Sequence, residues 1–118
     1  MDIQVKRIYE PADEADGARF LVDRLWPRGI SKEKAALTAW LKDVAPSDRL
    51  RKRFHTQVYD WDEFVSAYVA ELKEADPSAG LATIHDAALK GPVTLLFASK
   101  QQDRNHASIL RDFIEKSG

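Results

Sequence analysis

Six residues near the carboxyl end, Val93-Thr94-Leu95-Leu96-Phe97-Ala98, restrict the fold more than any other stretch. They are entered through Gly91-Pro92 and only Thr94 interrupts the apolar run. A run of this length suits a strand covered on both faces, which is the habit of parallel sheets. Phe20-Leu21-Val22-Asp23-Arg24-Leu25 reads the same way, with an apolar start and a polar end. Ile3 to Tyr9 supplies a third strand, alternating Ile3, Val5 and Tyr9 on one side with Ile8 on the other.

Helical patterns lie between and after these strands. Ser31 caps a helix that begins at Lys32, with Lys34 where a capping box would place Glu. Ala36 to Val44 carries Leu37, Trp40, Leu41 and Val44 at helical spacing, and Pro46-Ser47 stops it. Ser47 caps Asp48 to His55. Asp60 caps Trp61 to Glu74, whose stripe is Phe64, Val65, Tyr68, Val69 and Leu72, with Asp76-Pro77-Ser78 as the stop. Leu81 to Leu89 and Asp103 to Lys116 complete the set. About 65 residues separate the second and third strands, enough for the right-handed crossover that parallel neighbours need. The expectation is one α/β domain spanning residues 1–118: a small three-layer structure with a mostly parallel sheet of about three strands flanked by helices.

Composition narrows the function classes. A length of 118 residues suits a single domain, and 44% hydrophobic residues supply a core. No apolar run approaches the roughly 20 residues of a membrane helix. The start Met1-Asp2-Ile3-Gln4 lacks the basic and apolar regions of a signal peptide, so the expected setting is cytoplasmic, with no membrane partner. The chain has no cysteine, which removes disulfides, thiolate metal sites and cysteine nucleophiles. Its three histidines show no metal-ligand spacing, and its five glycines form no phosphate loop. No metal and no cofactor is therefore expected. Net charge is −1, but Arg19 to Arg53 is rich in Arg and Lys. Such a stretch is either a solvated face or the footprint of a small anionic ligand or a limited phosphate contact.

In an open parallel sheet, ligands bind beyond the carboxyl ends of the strands. The second strand runs there into Asp23-Arg24-Leu25-Trp26-Pro27-Arg28-Gly29, and the third into Ser99 to His106. Pro27 stiffens the first segment and Gly29 permits the left-handed turn out of it, so Arg24 and Arg28 offer donor forks to an oxyanion. Alternatively, Arg24 pairs internally and Trp26 fills core. Asn105 and His106 open the last helix, either as cap and packing residues or as a donor and an acid–base group beside free N–H groups. Ser47, Arg51 and His55 share a helix face at four-residue spacing, with Ser47 read first as the cap. Lys42 points either at the same cleft or into water.

These segments, together with Asp16-Gly17-x-Arg19, Leu50-Arg51-x-x-Phe54-His55 and Trp61-x-x-Phe64-x-x-x-Tyr68, resemble the YeaO-like branch of the family called domain of unknown function 488. The resemblance extends from about Ile3 to Ile114. It implies a compact α/β fold, a bacterial or archaeal cytoplasmic setting, and a shared polar site, without supplying roles. In the wider family an element like Cys-His-Arg follows the last strand. Asn105-His106-Ala107 is similar to it without the cysteine, so thiol chemistry is out of reach here.

Two ligand-based readings follow, beside a third in which the protein is structural or partner-binding and the polar residues form an internal network. The first is an enzyme of hydrolase or lyase type on a small anionic or nucleotide-like substrate. There His106 and Asp23 are catalytic, and Arg24, Trp26, Arg28, Lys42, Ser47, Arg51, His55 and Asn105 bind ligand. The alternative is a non-catalytic binding module for a phosphorylated metabolite or nucleic acid. Substrate, reaction and oligomeric state are not legible at this level.

Overall fold

The computed structural model describes residues 1–75, 78–101 and 104–117, with nothing stated of the Ser117 side chain. The expected helix stop at Asp76-Pro77 and the expected helix start at Asp103 lie outside the described residues. Among the described residues there are four strands: β1 (Ile3–Arg7), β2 (Ala18–Leu21), β3 (Ala39–Trp40) and β4 (Val93–Phe97). The helices are α1 (Lys32–Ala35), α2 (Asp48–His55), α3 (Trp61–Glu74), α4 (Ala79–Lys90) and α5 (His106–Ser117). The sheet order is β1-β4-β2-β3 and every pairing is parallel. The chain is thus an α/β domain with one strand more than the three read from its sequence.

The additional strand replaces part of an expected helix. Leu37, Trp40, Leu41 and Val44 satisfy helical spacing, yet they serve opposite sides of the sheet. Leu37 and Trp40 pack on the small cluster of Ile8, Leu21, Ala35 and Leu96. Leu41 packs on the main core, of which Val44 is a member. One amphipathic helix cannot face both ways. The chain instead leaves α1 through Ala36 in the left-handed region (φ 48°), pairs Ala39–Trp40 with Phe20–Leu21, and makes a 3₁₀ turn at Lys42–Val44.

Period-two alternation sorts the other strands. Phe20 and Val22 of the β2 region, and Val93, Leu95 and Phe97 of β4, enter the main core with Leu50, Phe64, Tyr68, Ile84 and Leu110 from α2–α5. The opposite face divides in two. Its carboxyl-end half holds Leu21 and Leu96 under Trp26, Ile30, Leu37 and Trp40. Its amino-end half is a polar network. The Asp16 carboxylate accepts from the Asp13 N–H, Lys6 Nζ and the Arg19 guanidinium, and Arg19 also donates to the Ala35 carbonyl. The Thr94 hydroxyl donates to the Asp16 carbonyl at 2.8 Å.

Helix starts follow the capping residues. Ser31, Ser47, Asp60 and Ser78 accept from N–H groups of the first turns of α1 to α4, and Asp60 with Glu63 closes a capping box. Among the described residues, no helix is long and apolar enough to cross a membrane.

Candidate functional site

Register brings the site together. Arg7 pairs with Phe97 and Leu21 with Leu96, so the strands end almost level. The ladder continues briefly through Ile8 N–H to Phe97 O and Val22 N–H to Leu96 O. The segments beyond, led by Tyr9, Asp23 and Ala98, therefore open on one edge, and a cavity of about 430 Å³ lies there. Its lining includes Asp23 to Arg28 from the second strand's exit and Ala98, Ser99 and Arg104 to His106 from the fourth's. Arg51, Phe54 and His55 of α2 and Trp61 and Phe64 of α3 form the facing wall.

Asp23 and His106 meet at the floor. His106 Nε2 lies 3.0 Å from Asp23 Oδ1 and 2.9 Å from the Val22 carbonyl oxygen. A carbonyl only accepts, so Nε2 carries the hydrogen and, in the neutral ring, Nδ1 is the acceptor. The carboxylate is oriented from its other side, because Oδ2 accepts the Ala98 N–H at 2.9 Å. Among the described residues, Oδ1 is a buried oxygen with no hydrogen bond of good geometry, despite its closeness to Nε2. The imidazole also meets the Tyr68 ring edge-on at 6.3 Å.

A network behind the cavity fixes its rim. The Tyr68 hydroxyl donates to the Val44 carbonyl. Burial, with the nearby Glu71 and Asp23 charges, pushes that hydroxyl far above the ordinary tyrosine range, so it remains a donor. The Arg24 guanidinium donates to the Ala45 and Pro46 carbonyls at 3.3–3.4 Å and lies 3.8 Å from Asp48. Ser47 donates from its N–H and hydroxyl to Glu71 while its Oγ accepts the Leu50 N–H.

The sequence-derived site residues therefore separate by position. Asp23, Arg24, Trp26, Arg28, Arg51, His55, Asn105 and His106 line the cavity. Ser47 does not; its hydroxyl is consumed by the cap and Glu71. Lys42 does not either; its ammonium sits 4.1 Å over the Trp40 ring. Asn105 lines the wall but also caps α5, its Oδ1 accepting the Ser108 N–H at 3.0 Å. Trp26 lines the cavity, while its ring packs on Trp40 at 5.4 Å and its Nε1 donates to the Ile30 carbonyl.

Arg28 and Arg104 differ from Arg24. Among the described residues, neither guanidinium has an ion pair or hydrogen bond; Arg28 contributes only its backbone carbonyl, to the Tyr9 hydroxyl. Arg51 has a single weak partner, Asp48 at 3.5 Å, and both side chains are substantially exposed. Among the described residues, Asp23 is the one carboxylate of the lining. Sequence reasoning assigned no site role to Tyr9, Phe54, Phe64 and Arg104, and weighed Trp61 as a stacking residue only against a core role. For Tyr9 the signal was available, since the rule about strand carboxyl ends applies equally to β1. Among the described residues, no cluster of three or more His, Cys, Asp or Glu is placed to hold a metal ion.

Fold and site together define a parallel α/β domain with a cationic, aromatic-walled cavity beyond its strand ends. The chain belongs to the family described as "Inactive DUF488-N3 subclade", which it matches over residues 2–117. It is 46% identical over 114 residues to "Uncharacterized protein YeaO" of Escherichia coli (strain K12), covering 97% of each chain. It is 41% identical over 112 residues to "Uncharacterized protein Rv3073c" of Mycobacterium tuberculosis (strain ATCC 25618 / H37Rv), covering 95% of this chain and 92% of that one. No solved structure matches it.

Proposed function

We propose that this protein is a non-catalytic binding protein for a small organic anion, held in the cavity at the strand carboxyl ends. The observation that carries the reading is the surplus of cations there. Among the described residues, Arg28 and Arg104 have no carboxylate partner, Arg51 has a weak one, and the one lining carboxylate, Asp23, is turned towards Ala98 N–H and His106. Guanidinium groups that the fold leaves unpaired are suited to an oxyanion, which they can bind through paired charge-assisted donors. The family's description as inactive and the lack of any cysteine support binding without turnover.

The test is calorimetric titration and thermal shift with phosphorylated metabolites, nucleotides and carboxylates, on wild type and Arg28→Ala. Losing one charge-assisted contact of about 1.5–3 kcal/mol lowers affinity about 10- to 100-fold. Melting stays near native, because among the described residues the Arg28 guanidinium makes no ion pair or hydrogen bond. No saturable binding by any anion contradicts the reading.

One observation favours a second reading, an acid–base enzyme of hydrolase or lyase type: an oriented carboxylate–imidazole pair lines the cavity. It predicts slow conversion of the bound ligand, abolished in His106→Gln with binding retained. Binding alone predicts that the ligand is recovered unchanged.

A further inference from the structure

We infer that the anion this cavity takes is borne on a flat apolar ring, an aryl or heteroaryl oxyanion, not a bare inorganic ion or a sugar phosphate. The inference rests on the anion-binding reading and adds the rest of the ligand to it.

Size is the first argument. A water takes about 30 Å³ of liquid, so 430 Å³ holds on the order of a dozen waters. An inorganic phosphate bound to the arginines leaves most of that space wet. The volume falls in the range of sites for small organic ligands, about 300–1,000 Å³.

Wall chemistry is the second. Trp26 and Pro27 line one side and Phe54, Trp61 and Phe64 the other. Hydroxyl-rich ligands find few hydrogen-bond partners on such faces, whereas a planar ring stacks or meets them edge-on. Leu25, at the same wall, is 63% exposed, so the apolar surface continues to the mouth.

Rigidity is the third. Trp26 is held by its Nε1 bond to the Ile30 carbonyl and by the Trp40 ring. Phe54 lies 4.8 Å from Phe64 and 5.9 Å from Trp61, and Trp61 stacks on Phe64 at 5.7 Å. Walls ordered before binding lose little freedom when a ring enters. Charge supplies the polarity. Arg28, Arg51 and Arg104 line the same space against Asp23, the one lining carboxylate among the described residues, so the cations outnumber it and a cationic ring is not the better fit.

Quenching of tryptophan fluorescence and calorimetry with five probes test this: inorganic phosphate, glycerol 3-phosphate, phenyl phosphate, benzoate and phenol. Phenyl phosphate or benzoate is expected to bind at least tenfold more tightly than inorganic phosphate, glycerol 3-phosphate and phenol, and whichever of the two binds identifies the acid group. Phe54→Leu and Trp61→Leu, each checked for native melting, are expected to shrink the aryl preference severalfold while leaving inorganic phosphate unchanged. Equal affinity for phenyl phosphate and glycerol 3-phosphate, or an aryl preference untouched in both variants, overturns the ring while leaving the anion reading in place. Absence of binding by every anion removes both.

Discussion

Two carboxylates, Asp23 and Asp16, illustrate what a single residue does here. Asp23 is fixed by the Ala98 N–H and approached by His106, at the base of the cavity. Asp16 lies at the opposite end of the sheet, buried against Arg19 and Lys6. Burial raises the Asp16 pKa, but the Asp13 N–H and the Lys6 and Arg19 donors outweigh it and hold the carboxyl below its usual range. A depressed carboxyl stabilises the fold at pH values above its unfolded pKa, and that stability is lost as pH falls through the folded value. Denaturant melts should therefore show this contribution intact above about pH 4 and fading below it, with the fading absent in Asp16→Asn. That variant leaves Arg19 without its counter-charge and is expected to cost about 3 kcal/mol at neutral pH. The roles of Arg24 and Arg28 were not separable in the sequence. Both flank Trp26-Pro27, but only Arg24 reaches the Ala45 and Pro46 carbonyls, more than twenty residues away along the chain. Partners that distant are set by tertiary packing, which local pattern does not encode.

Secondary elements were most legible where a side chain caps its own helix. Ser31, Ser47 and Asp60 act within three residues, so sequence spacing contains the whole interaction. Residues 36–44 show the opposite case, since helical spacing there conceals a strand whose apolar residues face both sides of the sheet. Ser47→Ala removes the cap of α2 and the hydroxyl bond to Glu71, and is expected to cost about 1–2 kcal/mol in denaturant melts. Because Ser47 lies outside the cavity, anion affinity in that variant should change by less than about threefold; a larger loss at native stability would put the hydroxyl in contact with ligand. Gly17 enters β2 at φ 64°, where a Cβ would run into the Pro92 carbonyl. That carbonyl accepts the Ala18 N–H, so it cannot retreat freely. Gly17→Ala should therefore destabilise by more than about 1 kcal/mol, read as a lowered unfolding midpoint.

At the scale of the molecule, site placement follows from parallel strands that end level. That much was readable: two runs that turn abruptly from apolar to polar locate a shared edge. What local sequence withheld was the facing wall, because Phe54, Trp61 and Phe64 sit on amphipathic helices where aromatic spacing looks the same whether it faces core or cavity. The cavity thus joins segments from residue 9 to residue 106 without any contiguous motif. Backbone amide chemical shifts followed by NMR during titration with phenyl phosphate measure this convergence directly. Saturable shifts should appear together at Tyr9, Arg28, His55, Arg104 and His106, with one dissociation constant. Shifts confined to one of these segments, or centred elsewhere on the surface, such as the groove that Val65, Val69, Ile109 and Phe113 line between α3 and α5, would contradict a single anion site at the strand ends.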